Sequence, residues 1–187
     1  MLNYQSPIKK EKNYSGLTVK EISPIMKLNL RGKNRDFLSI IGKNINMILP
    51  LEANTSSSTD NYTSMWLSPD EWLVISNNII DEEDNNYEIE EQLFNKISKT
   101  NFGAITDVTD QFILINLNGE KVFDLLSAGC PFNFNDFKSK KGAVSQTLLN
   151  QIDIIIHHKE LNNVNLFVRK SFSEHLMSWI NDAASRL

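Results

Sequence analysis

The sequence predicts an α+β fold in which two similar βαββα-type halves pack together with pseudo-twofold symmetry. The first observation behind this prediction is a repeat, because KLNLRGKNRDFLSIIG at residues 27–42 resembles LINLNGEKVFDLLSAG at residues 114–129. At one constant offset the two copies share an asparagine, two leucines and two glycines: Asn29 and Asn116, Leu30 and Leu117, Leu38 and Leu125, Gly32 and Gly119, Gly42 and Gly129. The second observation is that each copy is followed by two or more predicted strands and then by an amphipathic helix. A duplicated domain explains both observations, and two unrelated βα turns with glycine at their corners are the alternative.

Composition places the chain among ordinary globular proteins and excludes several classes of partner. Of its 187 residues, 41% are hydrophobic and 22% are charged, which is typical of a soluble domain. The net charge of −4 predicts neither a nucleic acid nor an anionic membrane as a partner. No apolar run approaches the ~20 residues that a membrane-spanning helix needs. The single cysteine, Cys130, excludes an intramolecular disulfide framework and suits a reducing cytoplasm.

The polar N-terminus predicts a tail, and the rest of the chain predicts a single duplicated domain. Residues 1–18 lack the apolar core of a signal peptide and are simply polar. We therefore expect this tail to be disordered unless a partner holds it. The duplicated domain is expected to span residues 19–187, with halves of about 19–103 and 104–187.

In the first half, apolar periodicity and glycine stops define the elements. A strand is predicted over residues 25–30. A helix over residues 33–41 is expected to end at Gly42 in the left-handed conformation. The Ser/Thr/Asn-rich residues 52–64 predict a long loop, because they offer almost nothing to bury. Residues 65–75 predict a β-hairpin, since apolar runs flank a Ser-Pro-Asp turn.

An acidic run at residues 81–86 precedes the last helix of the first half. That helix is predicted over residues 87–99, and Gly103 closes the half. We interpret the acidic run as a solvated helix N-terminus, which the helix dipole favours. A cation site is the alternative, but no ligand spacing is present.

The second half repeats this order of elements. A helix is predicted over residues 120–128, followed by a Phe-rich loop. Three strands are predicted over residues 143–149, 152–157 and 164–169. The last element is an amphipathic helix that a capping box, SFSE at residues 171–174, is expected to introduce.

Motifs for catalysis and cofactor binding are sparse. Neither the GxGxxG nor the GxxxxGK[ST] pattern occurs, so nothing in the sequence predicts a dinucleotide or phosphate site. His157 and His158 are adjacent at the end of a predicted strand, where they would point to opposite faces, and His175 has no second ligand at helical spacing. Cys130 follows a helix C-terminus, where the dipole disfavours a thiolate. We therefore predict no catalytic, cofactor-binding or metal residues in this chain.

The predicted hairpin carries the residues with the most specific pattern. Trp66 and Trp72 flank its turn, and we favour core packing for both, with a role as interface anchors as the alternative. Turn chemistry explains Asp70, since short polar side chains favour tight turns. A functional role for Asp70 and Glu71 is the alternative, because a carboxylate on a well-defined turn could be aimed at a ligand.

The same hairpin begins a series of motifs that resemble a known family. WLSPDEWL at residues 66–73 is similar to the W-L-[GS]-P-D-E-W-L hairpin of the sarcosine oxidase gamma subunit. Four further motifs of that family follow in order: T-D-V-[ST]-D (here residues 106–110), L-[AS]-x-G-C-P (126–131), Q-T-L-L (146–149) and V-R-[RK]-S-F-[AS]-E-x-L-x-x-W (168–179). The resemblance extends over roughly two thirds of the chain.

The resemblance implies a fold and a place in an enzyme complex. Heterotetrameric sarcosine oxidases carry FAD, FMN and NAD on their alpha and beta subunits. They oxidise sarcosine to glycine and either pass the one-carbon unit to tetrahydrofolate or release formaldehyde. The gamma subunit has the fold of the aminomethyltransferase (glycine cleavage T-protein) folate-binding domain, which is built from two similar halves. By this resemblance we expect a non-catalytic structural subunit in the cytoplasm, with alpha, beta and delta subunits as partners.

Two other functions stay open, together with a set of residues to examine. The chain could be an independent folate-binding one-carbon protein, because the T-protein family has a catalytic aspartate on a hairpin comparable to that of Asp70 or Glu71. It could also be the equivalent subunit of an N-methylglutamate dehydrogenase, which uses a similar subunit. The candidate interface or hairpin residues are Trp66, Pro69, Asp70, Glu71, Trp72 and Arg169.

Overall fold

The computed structural model of the protein describes residues 6–8, 11–22, 24–79 and 87–187. The chain divides into two compact units, named here for their place in the sequence. The middle unit is Pro24–Asp110, and the terminal unit is Met1–Ser23 together with Gln111–Leu187. The acidic run at residues 81–86 lies outside the described residues.

Each unit combines antiparallel strands with helices. The strands are β1 (Lys12–Tyr14), β2 (Leu17–Glu21), β3 (Lys27–Gly32), β4 (Ser56–Ser58), β5 (Tyr62–Ser68), β6 (Glu71–Ser76), β7 (Gly103–Asp107), β8 (Phe112–Asn118), β9 (Val144–Leu149), β10 (Ile152–Glu160) and β11 (Asn163–Arg169). The α-helices are α1 (Arg35–Ile45), α2 (Tyr87–Ile97), α3 (Val122–Gly129) and α4 (Ser173–Ala184). Short 3-10 turns lie at Phe137–Ser139 and Lys170–Phe172. The mixture of helices with antiparallel sheets agrees with the predicted α+β class.

In the middle unit, α1 packs on a sheet with the strand order β4-β5-β6-β3-β7. Phe37, Ile41 and Ile45 recur every four residues along α1, so they share one face, and all three are buried. They belong to a core that also contains Leu28 and Leu30 of β3. The periodicity read from the sequence therefore places the correct face of α1 inward.

The end of α1 differs from the prediction. The helix runs through Gly42 to Ile45 and is capped by Asn46, whose N–H bonds the Gly42 carbonyl oxygen and whose left-handed φ of 49° turns the chain out of the helix. Asparagine tolerates this conformation better than most residues, so it can replace glycine as a helix stop. Gly42 has a different role, because a Cβ there would lie 2.9 Å from the Met47 carbonyl oxygen. The glycine makes room for the chain that follows the helix.

In the terminal unit, α3 and α4 belong to the core of a sheet with the order β1-β2-β8-β11-β10-β9. Leu125 and Leu126 of α3 and Leu176 and Ile180 of α4 are fully buried there. A Cβ at Gly129 would lie 2.5 Å from the ring of Trp179. This glycine, like Gly42, is a point of close packing.

The predicted N-terminal tail is wrong for much of its length. β1 pairs with β2, and β2 pairs with β8. Leu17 is buried in the core of the terminal unit, and the Tyr14 hydroxyl donates a hydrogen bond to Asn181 Oδ1 at 2.5 Å. Both strands are too short for their alternation to stand out in the sequence. β2 is stabilised by pairing with β8, which lies far along the chain, and β1 by pairing with β2.

The predicted boundary between the halves is also wrong for the compact units. β7 pairs with β3, so residues 104–110 belong to the middle unit rather than to the second half. β2 joins β8 of the terminal unit instead. Each sequence half thus places its first strand in the sheet of the other half. Sequence periodicity predicts a strand but does not choose its partner, so this exchange was not foreseeable.

The two sheets nevertheless share one strand order. In chain order the middle unit has β3-α1-β4-β5-β6-α2, and the terminal unit has β8-α3-β9-β10-β11-α4. The sheet order β4-β5-β6-β3-β7 matches β9-β10-β11-β8-β2 strand by strand, and β1 extends the terminal sheet beyond β2. Three strands lie between the two helices of each unit. In the middle unit the third strand is β4, which lies within residues 52–64, where the sequence predicts a loop.

The predicted capping box before α4 is not formed. A 3-10 turn at Lys170–Phe172 precedes the helix, which begins at Ser173. The residue at the N-cap is Phe172, which makes no side-chain capping bond, and not Ser171 as the motif requires. The Ser173 hydroxyl donates to the Lys170 carbonyl oxygen at 2.6 Å. The serine is buried, so its hydroxyl bonds the nearest backbone acceptor.

Candidate functional site

The predicted hairpin forms between β5 and β6 with a two-residue connection, Pro69 and Asp70. Trp66 lies opposite Trp72, but Ser68 lies opposite Glu71, so one residue of β5 bulges out beside the turn. A bulge of this kind increases the local twist of the hairpin. Residues 68–71 are called the hairpin tip below.

Asp70 is held at the hairpin tip by neighbours within the middle unit. The Ser68 hydroxyl donates a hydrogen bond of 2.9 Å to Asp70 Oδ1. This bond, assisted by the charges of Lys33 and Arg31, lowers the pKa of Asp70 below its ordinary value. The Asp70 carbonyl oxygen accepts from the Gly32 N–H at 2.9 Å. Side chain and backbone of Asp70 thus stabilise the turn and join it to the end of β3.

Glu71 makes a second connection between the hairpin tip and β3. Its Oε1 accepts a hydrogen bond of 2.7 Å from Asn29 Nδ2, and its Oε2 lies 3.4 Å from Arg31 Nη2. The arginine is 59% exposed, so solvent screens this ion pair and the amide bond orients the carboxylate. Both tip carboxylates therefore have partners on the strand–turn segment that leads into α1.

Trp72 belongs to the core rather than to the surface. It is 1% exposed, its ring centroid lies 6.5 Å from that of Phe37, and its Nε1 donates to the Pro50 carbonyl oxygen at 2.7 Å. Trp66 is partly buried against the same core. The favoured interpretation, core packing, agrees with the burial of Trp72, whereas Trp66 keeps an accessible edge. Trp72 also fixes the backbone of the segment that follows α1.

Arg169 lies in the terminal unit, at the end of β11 opposite Phe112. Its side chain is exposed. The hairpin candidates all belong to the middle unit, so the six candidate residues do not form one cluster within a single unit.

The segment after α1 shows an apolar surface that sequence reasoning missed. A groove of about 490 Å³ is lined by α1 and by residues 46–49 and 51. Ile48 is 84% exposed and Leu51 69% exposed, whereas Met47 and Leu49 on either side of Ile48 are buried. The signal available in the sequence was MILPL at residues 47–51, an apolar run that is unusual for a surface loop. This surface is called the α1 groove below.

The histidines and the cysteine have structural surroundings. His158 lies between the rings of Phe123 and Phe137, at centroid distances of 5.6 and 5.8 Å, and its Nδ1 lies 2.8 Å from the Lys140 carbonyl oxygen. Burial raises the pKa of the Cys130 thiol to about 12, so it is a poor nucleophile. Within the part of the chain that the structure describes, no group of His, Cys, Asp and Glu residues could hold a metal ion. No helix there is long and apolar enough to cross a membrane.

Comparison with known proteins identifies relatives of this fold. A family model described as the sarcosine oxidase gamma subunit family matches residues 32–186. The chain is similar in structure to a chain of the heterotetrameric sarcosine oxidase from Corynebacterium sp. U-96 in complex with pyrrole 2-carboxylate. That match has a TM-score of 0.79 and 20% identity and covers 91% of this chain and 84% of that chain. Aspartate kinase from Clostridium acetobutylicum gives a TM-score of only 0.42 at 13% identity, over 97% of this chain and 38% of that chain. No curated protein matches the sequence.

Proposed function

We propose, because this chain belongs to the sarcosine oxidase gamma subunit family, that it is a non-catalytic structural subunit of a heterotetrameric, flavin-dependent sarcosine oxidase. The observation that carries the proposal is the family match over residues 32–186. In the proposed complex, which is cytoplasmic, the alpha and beta subunits hold FAD, FMN and NAD, tetrahydrofolate binds a partner subunit, and a delta subunit is the further partner. They oxidise sarcosine to glycine and transfer the one-carbon unit or release it as formaldehyde.

The hairpin tip supports a structural role for its carboxylates. Asp70 accepts from Ser68 and Glu71 accepts from Asn29, so each carboxylate orients part of the middle unit. A carboxylate that is oriented in this way by its own turn has the surroundings expected of a structural group.

Co-expression with flavoprotein subunits from the same genome tests the proposed function. We expect the tagged wild-type chain to retain them, and the purified complex to show flavin absorbance and to form hydrogen peroxide from sarcosine. The chain purified alone is expected to carry no stoichiometric flavin and to oxidise nothing. Flavin bound to the isolated chain in equimolar amount would contradict the proposal. Activity with N-methylglutamate but not with sarcosine would reassign the substrate and keep the subunit role.

Titration of tetrahydrofolate into the isolated chain tests the folate-binding alternative. We expect no saturable heat at micromolar concentration for the wild type or for Asp70→Asn, because the Asp70 carboxylate bonds the hairpin itself. Asp70→Asn should instead leave a measurable effect on stability, read as the midpoint of urea unfolding. Saturable binding that Asp70→Asn abolishes would favour the independent one-carbon protein.

We also propose that the two units derive from a duplication and are related by pseudo-twofold symmetry. The fold proposed for them is that of the aminomethyltransferase folate-binding domain. Four glycines at the repeat offset support the duplication: Gly16 with Gly103, and Gly32 with Gly119. Gly103 lies opposite Gly32, and a Cβ at Gly119 would lie 2.3 Å from the Gly16 carbonyl oxygen. Corresponding strand contacts in both sheets thus require glycine. An experimental structure whose two sheets do not superpose would contradict the duplication.

A further inference from the structure

The α1 groove combines exposed apolar side chains with a fixed backbone. Met47 and Leu49 are 5% and 4% exposed and anchor the segment in the core, whereas Ile48 is 84% exposed. Pro50 lies between Leu49 and Leu51, and its carbonyl oxygen accepts a hydrogen bond from the Trp72 indole N–H at 2.7 Å. The exposed side chains are therefore presented by an ordered segment. A surface that is ordered before binding loses little conformational entropy when a partner covers it.

The charge of the groove restricts what could cover it. Lys43 is the ionisable residue among those that line the groove, and the remaining lining is apolar or uncharged. A complementary surface would present apolar side chains to Ile48 and Leu51 and a carboxylate to Lys43. A second copy of the chain fits less well, because the residues that line this groove include no carboxylate, so two copies paired groove to groove would leave Lys43 without an opposite charge.

We propose that the α1 groove is the docking site for an amphipathic segment of a flavoprotein partner subunit that carries apolar anchors and a neighbouring carboxylate. This inference rests on the proposed function, which supplies such a partner. The groove volume of about 490 Å³ accommodates several side chains, as a binding site for one helix face or strand requires. Ile48 and Leu51 are the apolar contacts on this chain, and Lys43 sets the orientation of the partner segment.

The docking site is tested in the complex, by co-expressing tagged variants with the flavoprotein subunits and measuring retained flavin and dissociation rate. Ile48→Asp and Leu51→Asp are expected to weaken the complex roughly tenfold or more, because each places a charge in an apolar contact. Lys43→Glu should weaken it, and Lys43→Arg should not. The matched control is Leu161→Asp, since Leu161 is also an exposed leucine, at 81%, but lies in the terminal unit.

Each outcome separates this inference from the proposed function. Failure of the wild-type chain to retain any flavoprotein would overturn the proposed function and the docking site with it. Equal retention by wild type, Ile48→Asp and Leu51→Asp would overturn the docking site alone. An isolated wild-type dimer that Ile48→Asp converts to a monomer would make a second copy the occupant and also overturn it. Far-UV circular dichroism and melting should match the wild type, because these side chains are exposed.

Discussion

Replacing Trp72 by alanine is expected to lower the free energy of unfolding by about 3–5 kcal/mol, as for other large aromatic residues removed from a core. Trp72 is 1% exposed and packs near Phe37, so its removal leaves a cavity beside α1. It also leaves the Pro50 carbonyl oxygen without its indole donor. Urea unfolding followed by circular dichroism measures the loss, and a midpoint unchanged from wild type would contradict it.

Two matched variants separate the contributions of this side chain. Trp72→Phe keeps most of the ring but removes the bond to Pro50, so we expect a smaller loss of about 1–3 kcal/mol. Trp66→Ala removes the cross-strand neighbour, which is only partly buried, and should cost less than Trp72→Ala. If Trp72→Phe releases the Pro50 segment, it should also weaken flavoprotein retention, since the α1 groove depends on that segment. This links the most specific motif of the sequence to the proposed docking site.

Acidification is expected to destabilise the protein through His157. Burial, with smaller contributions from His158 and Lys159, lowers the pKa of His157 from 6.5 to about 4. The unfolded chain therefore binds this proton at higher pH than the folded chain. Stability from the neutral His157 is present above about pH 6.5 and is lost progressively as the pH falls toward 4. The loss amounts to about 3 kcal/mol, since one pKa unit corresponds to about 1.4 kcal/mol.

Urea unfolding at a series of pH values measures this dependence. His157→Leu should remove the part of the slope that lies between about pH 6.5 and 4, because leucine has no proton to bind. His175→Gln is the control, since His175 is exposed on α4 and its removal should leave that slope in place. A wild-type free energy of unfolding that stays constant across this interval would contradict the expectation.

Local chemistry accounts for the elements that the sequence predicted well. The serine and proline of the hairpin tip specify a tight turn within a few residues, and β5 and β6 form on either side of it. Phe37 and Ile41 lie on one face of α1 because helical periodicity is also local. The same reasoning recovered β9, β10 and β11. The α+β class and the hairpin candidates thus followed from interactions between neighbours in sequence.

Long-range pairing accounts for what the sequence did not reveal. β1 and β2 have few residues and become strands because β8 pairs with β2, and β7 joins β3 rather than the half that follows it. Asn46 ends α1 in place of Gly42, because the glycine is needed for the approach of Met47.

The exposure of Ile48 likewise depends on the tertiary structure. The sequence by itself determined that residues 47–51 are apolar, as it determined the hairpin turn and the inward face of α1. Only the folded chain decided that Met47 turns inward while Ile48 remains exposed. The physical reason is that side-chain burial depends on which distant segments cover a position. A turn or a helix face depends mainly on residues a few positions away.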